Sequence, residues 1–147
     1  MMNVVRVHVP NVMGGYRHII VDAIIKIAGY GYHQGYDYFE GASDPIVKFL
    51  VTNRELETVK NRFENNVDID HVWEYIFEWY DADEETYYQE WHQLVDGTAS
   101  VRRCNHGVGE GCFWSNWYEL RPETEEEFLR NFEDSLRTTG KKLISWN

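Results

Sequence analysis

Residues 63–101 contain no Lys or Arg, yet they carry eleven Asp or Glu and nine aromatic side chains. Repulsion among so many like charges favours an open chain, and only a large buried apolar surface offsets it. Trp73, Phe77, Trp79, Tyr80, Tyr88 and Trp91 supply such a surface. The segment is therefore expected to pack its rings inward and to show its carboxylates to solvent.

Charge is polarised along the chain. Residues 1–63 hold seven basic and six acidic side chains, residues 64–134 hold four and nineteen, and residues 135–147 add three basic ones, which gives +1, −15 and +3 for a total of −11. A field of this form steers the acidic part toward a cationic partner and opposes direct binding of a phosphate backbone. Solubility is the competing use of the same charge.

At 147 residues the expectation is one compact domain over 1–147, burying about 68–70% of the surface that its unfolded chain exposes. No apolar run approaches the ~20 residues of a membrane-crossing helix, and the first residues lack the basic start and apolar block of a signal peptide. A cytoplasmic location follows, with no membrane partner, since an acidic face is repelled by anionic lipid. In a reducing cytosol Cys104 and Cys112 are expected as free thiols. Their placement around a seven-residue loop also leaves a disulfide geometrically open.

Local patterning predicts an α+β fold, with a mainly antiparallel sheet of about five strands and four to five helices. Alternation over 4–9 predicts a strand, and the Ile- and Val-rich run 16–28 is long enough for a buried helix. Strands are expected over 36–40 and 45–52, followed by a helix to Glu64 capped by Asn53. This order is compatible with a ferredoxin-like N-terminal half.

In the acidic segment Ile69, Val72, Trp73, Ile76, Phe77 and Tyr80 fall on one helical stripe, with Asp68 as N-cap. Trp73, Tyr75, Phe77 and Trp79 also alternate as in a strand, but that reading leaves Glu74 and Glu78 beside Ile76, so helix is favoured. A second helix is expected from an Asp83 cap, with Tyr87, Tyr88, Trp91, Leu94 and Val95 buried and Gly97 ending it. Residues 100–104 and 112–120 form a hairpin around the Gly-rich loop 105–111. Thr124 and Glu127 form a capping box for a helix through Thr138, and a last strand spans 143–146.

On the expected helix over 69–80 and just beyond it, Asp70, Glu74, Glu78 and Asp81 lie within about 80° at ~100° per residue. Carboxylates four residues apart are ~6 Å apart along a helix axis, whereas duplex DNA carries a charge every ~1.7 Å. One helix is thus too sparse to imitate DNA, and either Glu84, Glu85 and Glu90 or Glu123, Glu125, Glu126 and Glu127 must lie on the same side to raise the density. The function expected from these residues is a small acidic interaction protein that binds and inhibits a basic nucleic-acid-binding protein or nuclease complex. That is the role of phage anti-defence proteins that block restriction or CRISPR systems as DNA mimics.

The alternative is a small-ligand module that sequesters a nucleotide through the tyrosine-rich stretch 29–38. There Tyr30, Tyr32 and Tyr36 would stack on a base, and Arg17, His18 and His33 would meet phosphate. Cys104, His106 and Cys112 are three zinc-type ligands at weak spacing, too few for a firm metal site. No nucleophile elbow, P-loop, zincin helix or Rossmann glycine pattern is present in the sequence. Neither an enzyme nor a cofactor is expected.

Overall fold

A computed structural model of the chain describes residues 2–8, 33–37, 46–111 and 113–147. They fall into two compact units, Met1–His71 and Val72–Asn147. The class is α+β with antiparallel sheets, as the sequence predicts. Among the described residues there are two α-helices, not four or five. No helix among them is long and apolar enough to cross a membrane.

The first unit contains β1 (Met2–His8), β2 (His33–Asp37), β3 (Ile46–Thr52), α1 (Asn53–Phe63) and β4 (Val67–Asp70). Its sheet has the order β2-β3-β1-β4 and is antiparallel throughout. Successive strand residues point to opposite faces, and Val4, Val5, Leu50 and Val51 are all buried, so this sheet is covered on both sides. The cap of α1 lies one residue earlier than expected. Thr52 Oγ1 accepts from the Glu55 N–H while Glu55 Oε2 accepts from the Thr52 N–H, a capping box that Asn53 does not supply. The expected helix over 16–28 lies outside the described residues.

The second unit contains β5 (Glu74–Asp81), β6 (Thr86–Val95), β7 (Thr98–Gly107), β8 (Phe113–Trp114), β9 (Tyr118–Pro122), α2 (Glu125–Leu136) and β10 (Lys142–Trp146). Its sheet runs β10-β5-β6-β7-β8, with β9 also pairing to β7. The two helices expected over 69–80 and 83–95 are instead hairpin strands. Tyr75 and Phe77, two residues apart, are both buried, whereas Ile69, Trp73 and Tyr80 of the expected helical stripe are 57%, 37% and 46% exposed. Alternation won because aromatic and β-branched side chains fit a pleated surface, and because Asp96 and Gly97, both at positive φ, close a two-residue turn between Val95 and Thr98.

The residues expected as helix caps serve other ends. Asp68 pairs its strand with β1, opposite Arg6. Asp81 Oδ1 accepts from the N–H groups of Asp83 and Glu84, which organises the β5–β6 turn. Helix α2 forms as predicted, with Thr124 and Glu127 capping it reciprocally. It lays Phe128 and Phe132 on the sheet, where their rings sit 5.2 and 4.9 Å from that of Tyr75.

Candidate functional site

The acidic residues are distributed by the pleat rather than gathered on one helix face. Glu74 and Glu78 share one face of β5 with Ile76 and Tyr80, while Tyr75 and Phe77 pack on Phe132 of α2 from the other face, which Trp79 shares. Glu78 accepts a hydrogen bond from Gln89 across the hairpin. Asp81 organises the turn, Glu84 accepts from the Tyr88 hydroxyl, and Glu85 is exposed at φ 51°. Asp70 belongs to the first unit and lies 3.6 Å from Lys48, with both side chains largely buried. Glu90 is on the opposite face from Glu78 and is already neutralised.

What the pleat does gather is the end of the β5–β6 hairpin. Residues 81–85 hold four carboxylates, and neither strand contains Lys or Arg. Tyr80 and Tyr87 pair beside this turn with centroids 4.6 Å apart, and Tyr87 in turn stacks on His106 of β7 at 5.4 Å. On the other face Trp79 and Tyr88 stack at 5.4 Å. The glutamate beside it raises the Tyr88 hydroxyl pKa, chiefly through the hydrogen bond to Glu84. The second unit as a whole carries sixteen acidic and seven basic side chains, net −9.

A second polar assembly was not legible as such in the sequence. Glu90 Oε1 accepts from His92 Nε2 at 2.5 Å, and Glu90 Oε2 accepts from Arg103 Nε and Nη2 at 3.1 and 2.6 Å. The bond from His92, with that from Arg103, holds the Glu90 carboxyl at about 2, well below the usual range. The register that joins them, Glu90 opposite Arg103, exists only once β6 and β7 are recognised as strands. The same register places Trp91 opposite Arg102, whose guanidinium lies 5.6 Å from the Trp91 ring and 4.9 Å from that of Trp117.

Of the residues expected to bind a nucleotide, Arg17, His18, Tyr30 and Tyr32 lie outside the described residues. His33 and Tyr36 belong to strand β2. The free-thiol expectation fails for Cys104, which is disulfide-bonded and 1% exposed. The chain's other cysteine, Cys112, lies outside the described residues. A sulfur committed to a disulfide is lost as a thiolate ligand, and His106 Nδ1 donates to the Gly107 carbonyl at 3.0 Å, so the weak zinc set loses its first member. Among the described residues no group of three or more His, Cys, Asp or Glu is placed to hold a metal ion.

No family model, no curated protein and no solved structure matches the chain.

Proposed function

We propose that this chain is an acidic interaction protein that binds a basic nucleic-acid-handling protein and inhibits it by occupying its nucleic-acid groove. The observation that carries the reading is the end of the β5–β6 hairpin, where Asp81, Asp83, Glu84 and Glu85 stand beside the Tyr80–Tyr87 ring pair with no Lys or Arg in either strand. Carboxylates supply steering and register at such a contact, and half-exposed tyrosines supply buried area at low entropic cost. A strand hairpin also presents acids from a rigid turn, which limits the ordering cost of binding. An anti-defence DNA mimic encoded by a phage is the biological form that this reading suggests.

The test is capture from a nuclease-treated bacterial lysate by the full chain and by its Asp83→Lys/Glu84→Lys/Glu85→Lys variant. The expected result is a stoichiometric basic nucleic-acid-handling protein that is released by moderate salt, displaced by added DNA and absent with the variant. Retention of the same protein by the variant, or displacement by salt but not by DNA, would refute the proposed mode of action.

A further inference from the structure

On the face of the second sheet that points away from α2, half-buried Arg102 of β7 lies among indole rings. Its guanidinium is 5.6 Å from the Trp91 ring and 4.9 Å from that of Trp117. Trp91 in turn meets Trp117 and Trp114 in T-shaped contacts, with centroids 5.1 and 5.7 Å apart. Arg102 Nε donates to the Ser115 carbonyl at 3.1 Å. That bond and the two rings hold the plane of the fork, and Nη1 and Nη2 are left without an acceptor among the described residues.

Arg102 makes no ion pair among the described residues, although the second unit carries a net charge of −9. The pleat accounts for this. Its nearest positions on the same face are Ser100 and Cys104 along β7 and Gln89, Trp91 and Gln93 on β6, none of which is charged. Glu74 and Glu78 share the face but stand one strand further away on β5, and Glu78 is engaged by Gln89. Trp91 adds a second unmatched donor, because its Nε1–H is buried and has no acceptor among the described residues. A buried donor without an acceptor is costly to keep. Both deficits in this cluster are of acceptors.

We infer that this cluster binds the carboxylate of an aromatic monoanion, supplied either as a free aromatic acid or as the C-terminal residue of a peptide. A carboxylate accepts from Nη1 and Nη2 in parallel, the bidentate geometry that a stacked guanidinium presents. The flat body of the ligand packs against the indoles in the offset or edge-on arrangements that such rings prefer. Charge selects among anions. Repulsion from the net −9 of the unit grows with the charge of the ligand, so phosphate and nucleic acid are disfavoured relative to a monocarboxylate. A neutral amide of the same shape forgoes the charge-assisted bonds.

NMR titration of the full chain with benzoate, benzamide and inorganic phosphate, followed at the tryptophan indole N–H resonances, tests this. Benzoate is expected to move the Trp91 and Trp117 resonances to saturation with a single affinity, and the other two are not. Arg102→Met should weaken benzoate at least tenfold, about 1.4 kcal/mol. Arg102→Lys, which keeps a cation over the rings but loses the fork, should do the same and keeps the test valid if Arg102→Met disturbs folding. Arg130→Met should leave the affinity unchanged, since that exposed arginine of α2 lies outside the cluster. Nα-acetyl-phenylalanine separates the sources. Tighter binding than benzoate assigns the site to a peptide C-terminus and weaker binding to a free aromatic acid, and either upholds the carboxylate chemistry. No saturable benzoate effect, equal binding of benzamide or phosphate, or unchanged affinity in both Arg102 variants overturns it. Such a failure leaves the hairpin proposal standing, because Asp83, Glu84 and Glu85 take no part in the cluster.

Discussion

Replacing Glu90 by Gln removes a charge from a side chain that is 13% exposed and that receives hydrogen bonds from both His92 and Arg103. Gln offers one acceptor where the carboxylate offers two, and its amide meets a second donor head-on. The displacement of the Glu90 carboxyl from 4.5 to about 2 corresponds to roughly 3 kcal/mol of preference for the charged form in the fold. Solvent screening reduces this to about 2 kcal/mol. The folded value lies below the unfolded one, so the contribution is complete above pH 4.5 and is lost as pH falls from there toward 2. All six tryptophans lie between residues 73 and 146, so urea unfolding followed by tryptophan fluorescence reports the second unit. Wild type should exceed Glu90→Gln by about 2 kcal/mol at pH 7, with the gap closing below pH 4.5. A gap that is absent at pH 7, or that stays constant down to pH 3, would refute the reasoning.

Two further outcomes follow from the geometry. Gly97→Ala should destabilise the second unit by about 1 kcal/mol, because φ is +74° and an added Cβ meets nothing within 4 Å, which leaves the backbone conformation as the cost. Thermal unfolding of this variant checks it, and an unchanged Tm would contradict the positive-φ turn. Alkylation of the denatured, unreduced protein should leave Cys104 unmodified, and prior reduction should expose it to the reagent. Mass spectrometry that finds Cys104 labelled without reductant would rule out the disulfide.

Elements with local, self-contained signals were legible in the sequence. The Thr124/Glu127 box marks the start of α2 because both halves of the hydrogen-bonded pair lie within one turn. The valine alternation of β1 and the last strand also read correctly, to within two residues. The segment 69–95 did not, because its rings satisfy a period of 3.6 and a period of 2 together, and Asx chemistry suits a turn as well as an N-cap. Asp96-Gly97 between two runs of β-formers was the short-range signal that separates the two readings. The Glu90–His92–Arg103 assembly depends on a register thirteen residues apart in sequence and has no local signature. The acid-rich hairpin end was legible in composition, and its shape was not.

Strand β10 completes the second unit by pairing with β5 through Leu143–Phe77 and Trp146–Tyr75, and the Asn147 carbonyl accepts from the N–H groups of Trp73 and Glu74. Its own outer flank carries a register break at Ile144, which interrupts the regular ladder that another chain would need as a template. Removing those few residues would turn β5 into an eight-residue border of Tyr, Ile, Phe and Trp with a row of unsatisfied amides. Such a border recruits further strands, so β10 acts as a guard against self-association.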